Sequence, residues 1–161
     1  MNIRFDKNTE CRCLCIDYIF NYFNVEACSV EEVRKANNFV KTIQLLTKYN
    51  FKVSGYIDKR LLLSLKNLFT VIKHKISIRR DFFGKNATDN YIILYYTSAR
   101  ELYGVNELWT HCICKTFDNN IELGNYDSYF DVIKEQIGSN FKYPDKEDLK
   151  NKLIMAIKVW R

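Results

Sequence analysis

Cys11, His111 and Asp127 are the residues whose types and spacing point to chemistry. Cys11 opens a stretch in which Cys15, Ile19 and Phe23, with Leu14, Tyr18 and Tyr22, recur at helical spacing and predict one wide buried face. A thiol in the first turn of such a helix meets unpaired backbone N–H groups and the positive end of the helix dipole. Both favour thiolate. His111, one of two histidines in the chain, begins an apolar run that the turn Asp118-Asn119-Asn120 folds back onto Ile121–Asp127. That hairpin sets His111 opposite Asp127 or one residue off it. Residues directly across an antiparallel pair have Cβ atoms about 5 Å apart, close enough for a carboxylate to hold the far nitrogen of an imidazole. A thiol, a base and an orienting acid are the parts of nucleophilic acyl transfer. Asn125 is an alternative orienter on the same strand face, one pair further from His111. Cys15 reads as core, because free cysteine is among the most buried residue types. His74, inside a lysine run, reads as structural.

Those residues need a helix at Cys11 and a sheet carrying His111. Between them, Ser29-Val30-Glu31-Glu32 matches a capping box for a short helix through Ala36. Phe39–Tyr49 predicts a third amphipathic helix. Phe51–Tyr56 alternates like a strand, and Asp58 caps a helix expected over Lys59–Asn67. Leu68–Ile78 alternates apolar with basic residues and reads as a strand or an irregular crossing. A loop is expected over Phe83–Asn90. Tyr91–Thr97 is the clearest strand, apolar enough to be buried on both faces. Ser98–Thr110 reads as a long polar connection. After the hairpin, Ser128 is expected to cap a helix to Ile137, and another helix starts at Asp145 behind Pro144. Leu153–Trp160 fits either a continued helix or a strand. Helices first and strands afterwards give an α+β fold, read as one domain over residues 1–161.

Composition bounds the function. Of 161 residues 47% are hydrophobic, enough for a sizeable core, and with one proline and five glycines there is no flexible linker. No apolar run is long enough for a membrane span, and the first eight residues lack the apolar region of a secretory signal. The six cysteines at 11, 13, 15, 28, 112 and 114 are expected to be reduced. A cytoplasmic protein, or an effector delivered into another cell, is the corresponding expectation. The net charge of +6 includes a local concentration at Lys73–Arg80, read as a solvated basic face, and no nucleic-acid partner is expected.

The segment Glu10-Cys11-Arg12-Cys13-Leu14-Cys15-Ile16, followed by Tyr22-Phe23-Asn24-Val25 and Ser29-Val30-Glu31-Glu32-Val33-Arg34, resembles the papain-like cysteine peptidases. Within them it is most similar to the double-glycine leader peptidases, which trim bacteriocin precursors. Their nucleophile segment reads roughly Asp-Cys-Gly-x-Ala-Ala/Cys-Leu before a Tyr-Tyr-Gly-type turn and a Ser-Leu-Glu-Glu-Leu-Arg-like helix. The order of elements over residues 8–128 follows that family. The resemblance implies a papain-like fold with N-terminal helices before a mostly antiparallel sheet. It also implies a Cys11–His111–Asp127 triad, a peptide or protein substrate, and no cofactor or metal. Arg12 stands where the family has glycine, and the family's oxyanion glutamine has no counterpart. Asn8 is the nearest amide side chain and, with the Cys11 backbone N–H, the candidate oxyanion donor. Its offset would suit Cys13 as nucleophile better, but the downstream helix and turn align from Cys11. Trp109, just before His111, is expected to line or shield the cleft, or to be core.

Two other functional classes fit parts of the pattern. A catalytically degenerate papain-like module could act through the basic segment 73–80. Cys11, Cys13, Cys15, His111, Cys112 and Cys114 could supply zinc ligands, although alternate strand residues point to opposite faces and so separate His111 from Cys112.

Overall fold

The computed structural model describes residues 3–84 and 90–161. Helix α1 (Cys11–Tyr22) buries Cys13, Leu14, Cys15, Ile16, Ile19 and Phe20. Its one buried acid, Asp17, is held bidentately by Arg4 at 2.6 and 3.1 Å, so no bare charge enters the core. Helix α2 (Val30–Lys35) starts where the Ser29 hydroxyl accepts from the Glu32 N–H at 3.2 Å. Glu32 does not complete the reciprocal capping box. Its carboxylate binds Lys48 and the Tyr49 hydroxyl instead, tying α2 to helix α3 (Phe39–Lys48).

The sheet has five strands: β1 (Lys52–Ile57), β2 (Asn90–Ser98), β3 (Thr110–Asp118), β4 (Ile121–Tyr126) and β5 (Met155–Trp160). Their order is β1-β5-β2-β3-β4 and every neighbouring pair is antiparallel. The architecture is therefore mixed α+β. Leu153–Trp160, open between helix and strand by sequence, supplies β5, which separates β1 from β2. One sheet face, with Ile92, Leu94, Tyr96, Cys112, Cys114, Ile157 and Val159, packs against the apolar sides of α1, α2 and α3. The other, with Tyr91, Ile93, Tyr95, Ile113, Phe117 and Ala156, is covered by later segments contributing Phe82, Phe83, Leu102, Tyr103, Ile133 and Leu149. Layers on both faces explain why Tyr91–Thr97 is buried throughout.

Several local expectations change. Asp58 caps a 3₁₀ turn (Lys59–Leu63), and a new helix, α4 (Leu65–His74), starts from the Ser64 hydroxyl bonded to the Asn67 N–H. What reads as alternation over 68–78 is thus mostly helical, ending where Lys75 turns left-handed (φ 53°). Ser77 then makes an isolated bridge to Tyr56. The polar connection 98–110 contains helix α5 (Ala99–Tyr103), capped by Ser98 and closed by Gly104 at φ 73°. The helix expected from Ser128 is α6 (Phe130–Ile137), and Ser128 is not its cap. Helix α7 (Lys146–Lys150) is capped by Asp145. Of the loop expected at 83–90, residues 85–89 lie outside the described residues.

Candidate active site

Cys11 is the first residue of α1, and α1 packs across β3, so the helix start meets the start of that strand. The first N–H groups of α1 have no acceptor within the helix and concentrate positive potential near the thiol. Glu10 spends its carboxylate on Arg34 at 2.6 Å and on the Asp6 N–H at 2.9 Å rather than on those groups. Its own backbone carbonyl accepts from Leu14 at 3.0 Å.

His111 lies on β3 directly across from Thr97 of β2, and its side chain is 2% exposed. Its Nε2 is 2.7 Å from Asp127 Oδ1, which leaves Nδ1 for the thiol. The hairpin register does not place these two residues opposite each other. A bulge at Leu123 shifts the pairing, Cys114 faces Tyr126, and Asp127 follows the end of β4. The carboxylate reaches His111 because the chain turns there towards α6, with Asp127 Oδ1 also accepting from the Tyr129 N–H at 2.9 Å. Its other oxygen, Oδ2, accepts from the hydroxyls of Tyr103 and, at 2.8 Å, Tyr143. Four donors therefore fix a buried carboxylate in one orientation. Burial alone would raise its pKa, but His111 and Tyr103 hold it below the usual carboxylate range.

The electrostatics of the pair follow from these contacts. Hydrogen bonding from the Cys112 thiol, then from His111, together with the His111 charge and the Cys112 backbone N–H, outweighs burial and lowers the Cys11 pKa to about 4. Burial pulls the His111 pKa down, yet Asp127 and Cys11 together raise it to about 9. Between those values the pair is thiolate and imidazolium. Cys112 is pushed up by the Cys11 thiolate and by burial, and so stays a neutral S–H donor.

Aromatic rings enclose the imidazole: Tyr103, Trp109 and Tyr129 have centroids 5.8, 5.3 and 6.0 Å from it. Trp109 is half-buried, and its Nε1 donates to Glu107 at 2.6 Å. On the open side lies a cleft of about 310 Å³ lined by Lys7, Asn8, Thr9, Cys11, Trp109, Thr110, His111 and Tyr129. A larger hollow of about 570 Å³ around Asp58 and Arg79 is lined by no cysteine and no histidine.

Cys11, His111, Asp127, Asn8 and Trp109 are thus brought together. Cys13 and Asn125 are not. Cys13 is buried, which raises its pKa, and its sulfur takes a bond from Arg12 at 3.2 Å. Arg12 also donates to the Val33 and Ala36 carbonyls and so staples α1 to the end of α2. Asn125 pairs with Lys115 across the hairpin and accepts its Nζ at 2.5 Å, away from His111. Tyr103 and Tyr143 escaped the sequence reading. The Ser98-Ala99-Arg100-Glu101 cap and Gly104 signal the helix carrying Tyr103, whereas nothing local marks Tyr143. Among the described residues no group of three or more His, Cys, Asp or Glu side chains is arranged to hold a metal ion. None of their helices is long and apolar enough to cross a membrane. No family model, curated protein or solved structure gives a significant match to the chain.

Proposed function

We propose that the chain is a cysteine peptidase or related thiol acyl-transfer enzyme, built as a papain-like domain and acting on a peptide or amide carbonyl. The observation that carries this reading is Cys11 at a helix start lining one cleft with the buried His111, whose imidazole is held by a carboxylate fixed by four donors. The helix-borne thiol preceding an antiparallel sheet that carries the histidine supports the papain-like assignment, as do the residues around Cys11 and Ser29 that resemble the double-glycine leader peptidases.

In the proposed reaction the Cys11 thiolate attacks the carbonyl carbon and forms a C–S bond. Charge moves onto the carbonyl oxygen, to which the N–H groups at the start of α1 and the Asn8 amide are available to donate hydrogen bonds. His111 gives its Nδ1 proton to the leaving nitrogen as the C–N bond breaks, leaving a thioester. His111 then takes a proton from water or another acceptor, which attacks the thioester and releases the thiolate. Asp127 keeps the ring oriented and balances its charge without itself taking the proton.

The test is alkylation followed by peptide mass spectrometry, mapping which cysteine reacts fastest between about pH 5 and 8 in wild type and His111→Ala. Fast labelling of Cys11 that depends on His111 is expected, with the five other cysteines slower. Labelling of Cys13 with that dependence would move the nucleophile by two residues and overturn this assignment. Uniformly slow labelling would refute the enzyme reading and favour an interaction module.

A further inference from the structure

Helix α4 is amphipathic, yet none of its described side chains is buried. Leu68, Phe69 and Ile72 fall within an arc of about 100° on its surface and are 42, 74 and 71% exposed. Leu63, one turn ahead of the helix, is 96% exposed. The opposite side, with Asn67, Val71 and His74, faces the protein: the Asn67 amide donates to the Leu61 carbonyl, and Val71 packs on the core. The face left in water is thus the more apolar one, the reverse of a helix recruited to a core.

The stretch of sequence that carries the stripe is also strongly basic. Residues 58–80 carry seven lysines and arginines against one carboxylate, a net charge equal to the whole chain's +6. Asp58 is already taken by Arg60. Among the described residues no ion pair engages Lys66, Lys73 or Lys75; the first two flank one edge of the stripe, and the third ends the helix in a left-handed turn. Leucine, phenylalanine and isoleucine beside lysines are what an interfacial helix presents to a membrane. The apolar side chains enter the boundary of acyl chains and headgroups, and the lysines meet lipid phosphate and carboxylate.

We infer that α4 and Leu63 form a docking surface for an anionic lipid bilayer, held at the interface and not inserted across it. A flat bilayer engages Leu63, Leu68, Phe69 and Ile72 together while the flanking lysines meet its negative charge. The inference does not depend on the chemistry proposed at Cys11.

The experiment is flotation of the full chain with vesicles of phosphatidylcholine alone or containing about 30% phosphatidylserine. Wild type is expected to float with the anionic vesicles, to ignore the neutral ones, and to be released at about 0.5 M salt. Each lysine contributes about fivefold in partitioning, so the triple change Lys66→Gln, Lys73→Gln, Lys75→Gln should weaken binding about a hundredfold. Phe69→Ser with Ile72→Ser should also release the protein, with an unchanged melting curve because these side chains support no core. Cys11→Ser should float like wild type. No flotation with anionic vesicles, equal flotation with neutral ones, or flotation indifferent to both sets of changes would overturn the proposal. So would self-association lost in Phe69→Ser, Ile72→Ser without vesicle binding, which would assign the face to a second copy.

Discussion

Replacing Asp127 by asparagine tests the electrostatic basis of the site. The side chain keeps its shape but loses the charge 2.7 Å from His111 Nε2. The same substitution leaves Tyr103 and Tyr143 donating to a neutral amide oxygen, or turns the amide nitrogen towards them. His111 is 2% exposed, so burial then acts against the imidazolium with only Cys11 opposing it. Its pKa should fall from about 9 towards the ordinary imidazole value of 6.5. A fall of that size is about 3 kcal/mol of lost imidazolium stabilisation, or roughly a hundredfold in the charged fraction above neutrality. Cys11 keeps an imidazolium partner up to that lower value, so the thiolate–imidazolium window should shorten at its upper end, from about 9 towards 6.5. Two measurements report this independently: the imidazole resonances of His111 against pH, and the pH profile of Cys11 alkylation by peptide mass spectrometry. The His111 midpoint should drop by more than a unit, while the rise in Cys11 labelling should stay near pH 4, where the imidazole is charged in both proteins. An unchanged His111 midpoint would refute the account, because the Asp127 charge would then be stabilising nothing that titrates.

Tyr103→Phe and Tyr143→Phe each remove one donor from Asp127 Oδ2, and hydrogen bonds to a charged group are worth about 1.5–3 kcal/mol. Urea unfolding should show each variant destabilised in that range. The double variant should show less than the sum if the freed carboxylate oxygen finds a new donor; full stability in both single variants would remove the tyrosines from the site. The charged pair also fixes a stability profile. His111, raised to about 9, contributes fully below the ordinary imidazole value and loses that contribution as pH rises through 9. Cys11, lowered to about 4 from an ordinary 9, gains its contribution above 4 and loses it as pH falls through 4. From about 6.5 to 9 the two slopes cancel. The stability advantage of wild type over Cys11→Ser, His111→Gln should therefore climb from pH 4 to 6.5 and stay level above it, measured by urea titration at each pH. An advantage that is flat below 6.5 would show that the two groups do not form an ion pair.

Much of this arrangement was legible in the sequence where a local signal and the tertiary context agree. α1 follows its apolar spacing, α3 gains an Asn38 side-chain cap on the Lys41 N–H, and β2 is as apolar as a strand buried on both faces must be. The missed elements are short or depend on distant neighbours. A five-residue α5 is carried by its Ser98 and Gly104 ends, which a 13-residue polar connection hides. The strand β5 exists only because β1 and β2 leave a position between them, roughly 60 to 110 residues upstream. α4 shows why alternation misleads: its apolar positions fit a helix, but lysines at its edges break the stripe into what reads as a strand. The His111–Asp127 pair was reached through a regular hairpin, while the hairpin itself contains a bulge that regular pairing would not place.

That last difference bears on how the site is held. Had Asp127 been a ladder residue opposite His111, its position would follow from β3–β4 pairing alone, and changes near α5 or Tyr143 would leave it in place. Because it lies after the last paired residue of β4, its orientation comes from the Tyr129 N–H at the entry to α6, from Tyr103 on α5, and from Tyr143 in the segment before α7. Three later segments on the far face of the sheet thus meet at one carboxylate, while Cys11 arrives from the helix layer on the near face. The start of β3 is where both layers can reach. His111 turns towards the aromatic layer, and Cys112, the next residue, turns towards α1. Consecutive side chains of one strand therefore give the Cys11 sulfur two different partners: a proton-carrying base on one side and a neutral thiol donor on the other. The same alternation that separates His111 from Cys112 as joint metal ligands lets both of them act on a sulfur placed at the strand end.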